Sequence, residues 1–338
     1  MSTDQTQPAA VGDLPGRRRV AVVTVGVVFW TWLSLRWAYH NTVLDAVATA
    51  LGVPDLIRSE TAVLAREPWL PTAPFANAAE TLTAVGADLG PLGLLAEWLA
   101  WPFELTAFAI EGGPAMAAGA FITVYLTLAS MVLGLAIAVP LSVARVYGGR
   151  IVGTVSLAYT ELVRGTPLLA QLFLLYYGLP LAEEIEGLGL VGEGAVPRAA
   201  VFVAIVGFTI NSSAYQAEYI RGALQSVDSG QLVAARSIGL SKAAGIRHVV
   251  LPQGLRYAIP GWTNEFVYLI KYSSLAAFIT VPELFRQARI IASDSFRVTD
   301  TYVVVAVLYL ALVLTTALAM DRLEAAVAVP GLGPADER

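Results

Sequence analysis

No cysteine occurs anywhere in the sequence, which excludes a disulfide framework, a thiolate metal site and a thiol nucleophile together. Histidine is almost as rare. His40 and His248 fall on opposite sides of the topology derived below, so they form no paired metal site. Charge is scarce too: Asp, Glu, Lys and Arg make up 14% of the chain against 57% hydrophobic residues, too apolar a balance for a water-soluble domain of 338 residues. Lysine is confined to Lys242 and Lys271, leaving arginine as the working cation, and the net charge of −5 specifies no chemistry. The chain also lacks an internal repeat, a glycine-rich dinucleotide motif and a Walker A motif. With no grouping of nucleophile and base or of metal ligands, an enzyme is the least favoured class.

What is present is a series of long apolar runs. A bilayer core about 30 Å thick takes roughly 20 helical residues. Val20 to Ala38, Ala115 to Ala144, Thr154 to Leu179, Arg198 to Ile220, Pro260 to Val281 and Tyr302 to Met320 meet that requirement. These six runs specify an all-α integral membrane protein. Pro91 to Ile110 is nearly as apolar but carries Glu97, Pro102 and Glu104, and reads as an interfacial or extracellular helix.

Basic residues stay on the cytoplasmic side. With the N-terminus inside, cytoplasmic segments hold 12 of the 21 cations: Arg17, Arg18, Arg19, Arg145, Arg150, Arg221, Arg236, Lys242, Arg247, Arg256, Arg322 and Arg338. Glu183, Glu184, Glu186 and Glu193 share one outer loop. A seventh span at 91–110 would put the arginine-bearing loop outside, against that rule. Residues 1–19 read as a cytoplasmic tail, 20–38 as a retained anchor, 41–112 as an outer insertion with Trp69, Trp98 and Trp101, 115–322 as the core, and 323–338 as a second cytoplasmic tail.

The loop at 228–253 is the most patterned polar segment. Ser229 is placed to cap a short helix over 231–238, Gly239 to turn the chain, and Ser241 to cap a second helix ending near Pro252. Ala234 and Ala235 leave the first helix without bulk, so another protein's backbone can approach it. A linker helix resting on the bilayer is the competing reading.

Ionisable and amide groups at membrane depth are costly and are candidates for function. Glu161 and Arg164, three apart on one helix face, read as a structural pair. The amide of Gln171 suits either a substrate's polar end or a bond to a neighbouring helix. Asn211, Ser212, Ser213 and Tyr215 form a polar run that suits a wet cavity, while Glu218 reads as structural. Asn264 and Lys271 share a face, with Ser274 beside Lys271. There Lys271 can meet a substrate carboxylate or pair with an acid on another helix.

The loop resembles the coupling loop of ABC-importer permeases, with Glu-Ala-Ala, three residues, Gly and a spaced Leu-Pro as its usual pattern. Ala234, Ala235, Gly239, Leu251 and Pro252 match; Val233 stands where glutamate is usual. Arg164 to Pro180, Asn211 to Gln231 and Leu251 to Glu283 resemble the polar amino-acid branch (histidine, glutamine and arginine type), so that the likeness spans roughly residues 116–322. It implies a five-helix core plus an N-terminal transmembrane helix, in the plasma membrane. It also implies a pathway shared with a second permease copy or paralogue, an ATP-binding subunit dimer on the coupling loops, and an extracellular substrate-binding protein. ATP and Mg²⁺ then belong to the partner ATPase, with no cofactor on this chain and no nucleic acid among its partners. Tyr272 replaces an aspartate common in that branch after the lysine, which favours neutral or acidic amino acids over arginine or lysine. An ion-coupled secondary transporter is the alternative, disfavoured here because neither repeats nor broken helices are evident. A channel or a membrane-bound sensor is a further one.

Overall fold

The computed structural model describes residues 24, 26–31, 33–35, 47–53, 68–88, 90, 93–189, 191 and 197–327. The first expected tail with its Arg17–Arg19 cluster, residues 328–338 of the second, His40, Glu193 and parts of the anchor and insertion lie outside the described residues, while 323–327, expected in the second tail, continue the last helix.

The described chain is helical. An apolar helix α1 (Gly26–Leu35) falls within the expected anchor. Then follow α2 (Ala73–Ala87), α3 (Gly93–Tyr147), α4 (Arg150–Arg164), α5 (Leu168–Phe173), α6 (Leu181–Glu186) and α7 (Ala199–Ser226). Next come α8 (Ser229–Ser237), α9 (Lys242–Gly245), α10 (Leu251–Tyr257), α11 (Ile259–Tyr272), α12 (Leu284–Ser295) and α13 (Val298–Val327). Among the described residues α3, α7 and α13 are each long and apolar enough to cross a bilayer unaided.

Three features differ from the expectation. First, the boundary placed between an outer insertion ending near residue 112 and a core beginning at 115 falls inside α3. This single helix of 55 residues contains Pro102, Pro114 and Pro140. Proline removes one ladder bond and bends a helix but need not end it when neighbours hold both arms, and α2, α7 and α12 all pack on α3.

Second, the run 154–179 is a broken helix, contrary to the reading that no such break exists. Pro167 has no N–H and is extended, with ψ of 133°, so α4 stops at Arg164 and α5 starts at Leu168. A π-turn follows over Leu174–Gly178. Third, the run 260–281 is α11 plus a tight 3₁₀ segment, Ser273–Ile279, which ends at Thr280 in a left-handed conformation (φ 66°).

The centre of the bundle is α7, packed against α3, α4, α10 and α11. One apolar cluster joins Leu126, Leu172, Val201, Phe208, Leu269 and Ile279 around its first half. A second, around its last turns, joins Ala138, Ile220, Leu224 and Val250. A third ties α1 to α3 and α13 through Leu33, Met116 and Leu312.

Candidate functional site: a polar layer and a loop beneath it

Between the first two clusters α7 carries a buried polar stripe of Thr209, Asn211, Ser212, Ser213 and Gln216. Each faces a different neighbour. The Tyr159 hydroxyl on α4 lies 2.6 Å from Ser213 Oγ. Gln216 Nε2 donates to the Met131 carbonyl at 3.1 Å and to Ser212 Oγ at 2.8 Å. The carboxyl of Glu265 on α11 is buried beside Ser212. This approach is possible because residue 134 is glycine: a Cβ there would stand 2.7 Å from Gln216 Nε2 and 3.2 Å from Ser212 Oγ.

Gln171 serves the helix break. Its Nε2 donates to the Val163 carbonyl at 2.7 Å and the Thr166 hydroxyl at 2.7 Å, while its Oε1 accepts from Asn211 Nδ2 at 3.3 Å. The amide thus adds its donors to the last turn of α4, where the Thr166 N–H and hydroxyl also reach the Val163 carbonyl, and ties the break to α7. Of the two readings of Gln171, this geometry displays the bond to a neighbouring helix.

The remaining candidates separate into two groups. Tyr215, half-buried, has the Arg164 guanidinium over its ring at 5.3 Å, and Arg164 also lies 3.9 Å from Glu161. Glu218 accepts from Arg221 Nε at 2.8 Å and lies 3.7 Å from Arg145 on α3, an arrangement that suits its structural reading. Asn264 and Lys271 are exposed on one face of α11 with Tyr268 and Tyr272. Lys271 Nζ sits 4.9 Å from the Tyr268 ring centroid, and no described acid is within ion-pair distance. Ser274 lies one turn on, its hydroxyl bonded back to the Lys271 carbonyl at 2.9 Å. The stripe on α7 and the face on α11 are therefore distinct surfaces joined through Glu265.

Sequence reasoning gave no role to Gln216 or Glu283. Glu283 is fully buried, caps α12 through the Phe285 and Arg286 amides, and accepts from Tyr309 Oη at 2.9 Å. An acid after Pro282 and before an amphipathic run is a helix-start signal that could have identified it.

The loop after α7 is a compact two-arm element. Asp228, not Ser229, caps α8, its carboxylate accepting from the Gly230 amide at 2.6 Å. The backbone decides this: Asp228 has the extended ψ of 126° that a cap needs, and Ser229 is already the first residue of the helix. Gly239 turns the chain at φ +92°, a left-handed geometry that costs other residues strain. Ser241 caps α9, accepting from the Ala244 amide. Pro252 does not end the second arm: a π-turn over Ile246–Val250 absorbs the bond it cannot make, and the helix continues through α10.

Of the two alanines only Ala234 is exposed. Ala235 is buried against Gly245. What projects is Val233 and Ile238, 65% and 80% exposed, while Leu251 packs inward and Lys242 Nζ donates to the Tyr147 carbonyl at the end of α3. An apolar tip is thus mounted on a fixed base, and its two ends lead directly into α7 and, through Ala258, into α11.

The chain is similar in sequence and fold to known transport proteins. Residues 130–329 match the model of the binding-protein-dependent transport system inner membrane component. A probable amino-acid permease of Bacillus subtilis is 34% identical over 231 residues, 68% of this chain and 96% of that protein. The glutamine transport system permease of Escherichia coli is 36% identical over 62% of this chain and 92% of its own length. The crystal structure of an amino acid ABC transporter with histidines superposes with a TM-score of 0.54 at 33% identity, covering 63% of this chain and 94% of the other. By these matches the chain belongs to the family of inner membrane components of binding-protein-dependent transport systems.

Proposed function

We propose that this chain is the membrane-spanning permease subunit of an ATP-driven importer of polar amino acids. It crosses the plasma membrane six times with its N-terminus inside, forms the pathway with a second permease, and receives cargo from an extracellular binding protein. The observation that carries this reading is the loop at 228–253. Its apolar tip, Val233 and Ile238, would be wasted in water and suits a groove on a partner. Its base is continuous with both helices that bear the polar layer, so force applied at the tip is delivered to Asn211 and Glu265 without slack. The relatives named above are amino-acid permeases, which supports the cargo class.

The exposed face of α11 supports a pathway lining. A lysine at membrane depth is costly against lipid, so Asn264, Tyr268 and Lys271 face water or the partner permease, and Lys271 is the group to meet a substrate carboxylate. Gln171, Asn211 and Tyr215 shape that pathway from behind, and Ser274 sets the turn below Lys271. Tyr272, which carries no charge, favours neutral or acidic cargo.

The test is uptake of labelled amino acids into proteoliposomes containing this chain, its candidate ATPase and its binding protein. Uptake is expected to need all three and ATP, and to be lost in Gly239→Pro, because proline cannot adopt the φ of +92° found there. Uptake driven by an ion gradient without the ATPase would overturn the proposal.

A further inference from the structure

Two stretches of the bundle leave the α-helical ladder, and they meet. The π-turn over Leu174–Gly178 follows α5 and closes with the Leu179 amide on the Leu174 carbonyl at 2.8 Å. The 3₁₀ segment Ser273–Ile279 follows α11 and runs for seven residues, where this tighter winding seldom holds for more than about four. It ends at Thr280, whose φ of 66° is unfavourable for a β-branched residue. No proline lies within 168–179 or 261–281. Departures of this kind collect at functional hinges.

Two phenols join the stretches. Tyr176 Oη lies 3.1 Å from Thr280 Oγ1, and Tyr177 Oη donates to the Phe278 carbonyl at 3.2 Å. The two rings sit edge to face with centroids 4.8 Å apart, so they act as one block. On the other side Arg286 of α12 donates to the Ala277 carbonyl at 3.2 Å, and the 3₁₀ segment is held between the two. These contacts stand beside the apolar cluster of Leu172, Phe208 and Ile279 around the first half of α7, at the end of the bundle opposite the loop at 228–253. Both phenol bonds are exposed, with Tyr177 at 64%, so water replaces each one that breaks and the net cost of parting them is small.

We propose that Tyr176 and Tyr177 latch this end of the pathway shut, and that both hydroxyl bonds part when the subunit opens there to admit cargo. The inference rests on the importer reading, and in the topology proposed above this is the outer end. The latch weights the closed state, so deleting the hydroxyls shifts the population toward the open one by what the two bonds contribute. Two properties of the chain make it easy to probe. It has no cysteine, so an introduced pair is its only thiol target. Phenylalanine in place of each tyrosine keeps both rings and removes only the bonds.

The experiment uses the full chain with its ATPase and binding protein in proteoliposomes, carrying Tyr176→Cys and Thr280→Cys together and cross-linked by a short, reducible bis-methanethiosulfonate. Relative to the cysteine-free wild-type chain treated alike, uptake is expected to fall at least about tenfold on cross-linking and to return on reduction. A pair shown by mass to be cross-linked that still transports at its uncross-linked rate overturns the latch. Tyr176→Phe with Tyr177→Phe gives the second measurement: ATP hydrolysis without binding protein is expected to rise about fivefold as the open state gains population. Hydrolysis at the wild-type rate overturns the proposal as well, and decides alone if the cysteine pair does not assemble. Should wild-type vesicles show no uptake that requires the ATPase, the importer reading fails and the latch falls with it. Wild-type uptake beside an unaffected cross-linked pair refutes the latch only.

Discussion

Helices α7 and α13 cross the same membrane and are built on opposite plans. The most apolar stretch of α13 has a mean hydropathy of 2.6 and is only 28% buried within the protein; in α7 the corresponding values are 1.3 and 78%. In water that order would be reversed. Here lipid takes the role that the core plays in a soluble protein, and α13 meets it with Val307, Leu310 and Leu314, while α7 uses the interior for Asn211, Ser212 and Gln216. Burial and polarity rise together.

The hardest way to break this contrast is to fill the space that lets α7 be polar. Gly134→Leu drives a side chain into Gln216 and Ser212. Overpacking of that kind costs about 3 kcal/mol or more, and leucine also strands the amide. Loss of assembled importer is expected, read as a collapse of the thermal transition and of uptake together. A transition within a degree of the wild type would mean that the approach of α3 to α7 is not tight.

Ile238→Asp should leave the fold intact and cut uptake and transport-coupled ATP hydrolysis by at least about tenfold, the effect of a central interface residue. Unchanged coupling would show that the exposed tip is not the contact. Gln171→Leu removes one of the donors to the Val163 carbonyl, which keeps the Thr166 N–H and hydroxyl, and the amide donor to the Thr166 carbonyl, at a cost of about 1 kcal/mol. The signature is faster amide exchange confined to 165–171, and wild-type exchange there would remove Gln171 as the tie across the break. The smallest effect belongs to α13. Leu310→Ala, 56% exposed, should shift stability by no more than about 0.5 kcal/mol, and a large shift would indicate protein rather than lipid against that face.

The contrast between the two helices also sets what could be read in advance. Apolar run length is a one-dimensional property, so the apolar stretches of α3, α7 and α13 were visible in the sequence, and so were the glycine turn at 239 and the cap at Ser241. Where two local signals competed, the sequence did not choose. Asp228 and Ser229 are both good caps, and only the point at which the backbone turns helical selects Asp228. Pro167 and Pro102 look alike in the sequence. The first breaks its helix and the second does not. The exposed tip at Val233 and Ile238 was hidden for another reason: which of two adjacent alanines faces inward depends on where Gly245 lies, a contact made across the turn.

The length of α3 carries a mechanical consequence. At 1.5 Å per residue its 55 residues reach about 80 Å, far more than the bilayer is thick. One end is clasped by α2, and the Tyr147 carbonyl at the other is held by Lys242 of the coupling element. Under the proposed coupling role, a push on the loop at Lys242 would be passed along α3 toward the end that α2 clasps. Whatever restrains that end then sets the load against which the loop must work.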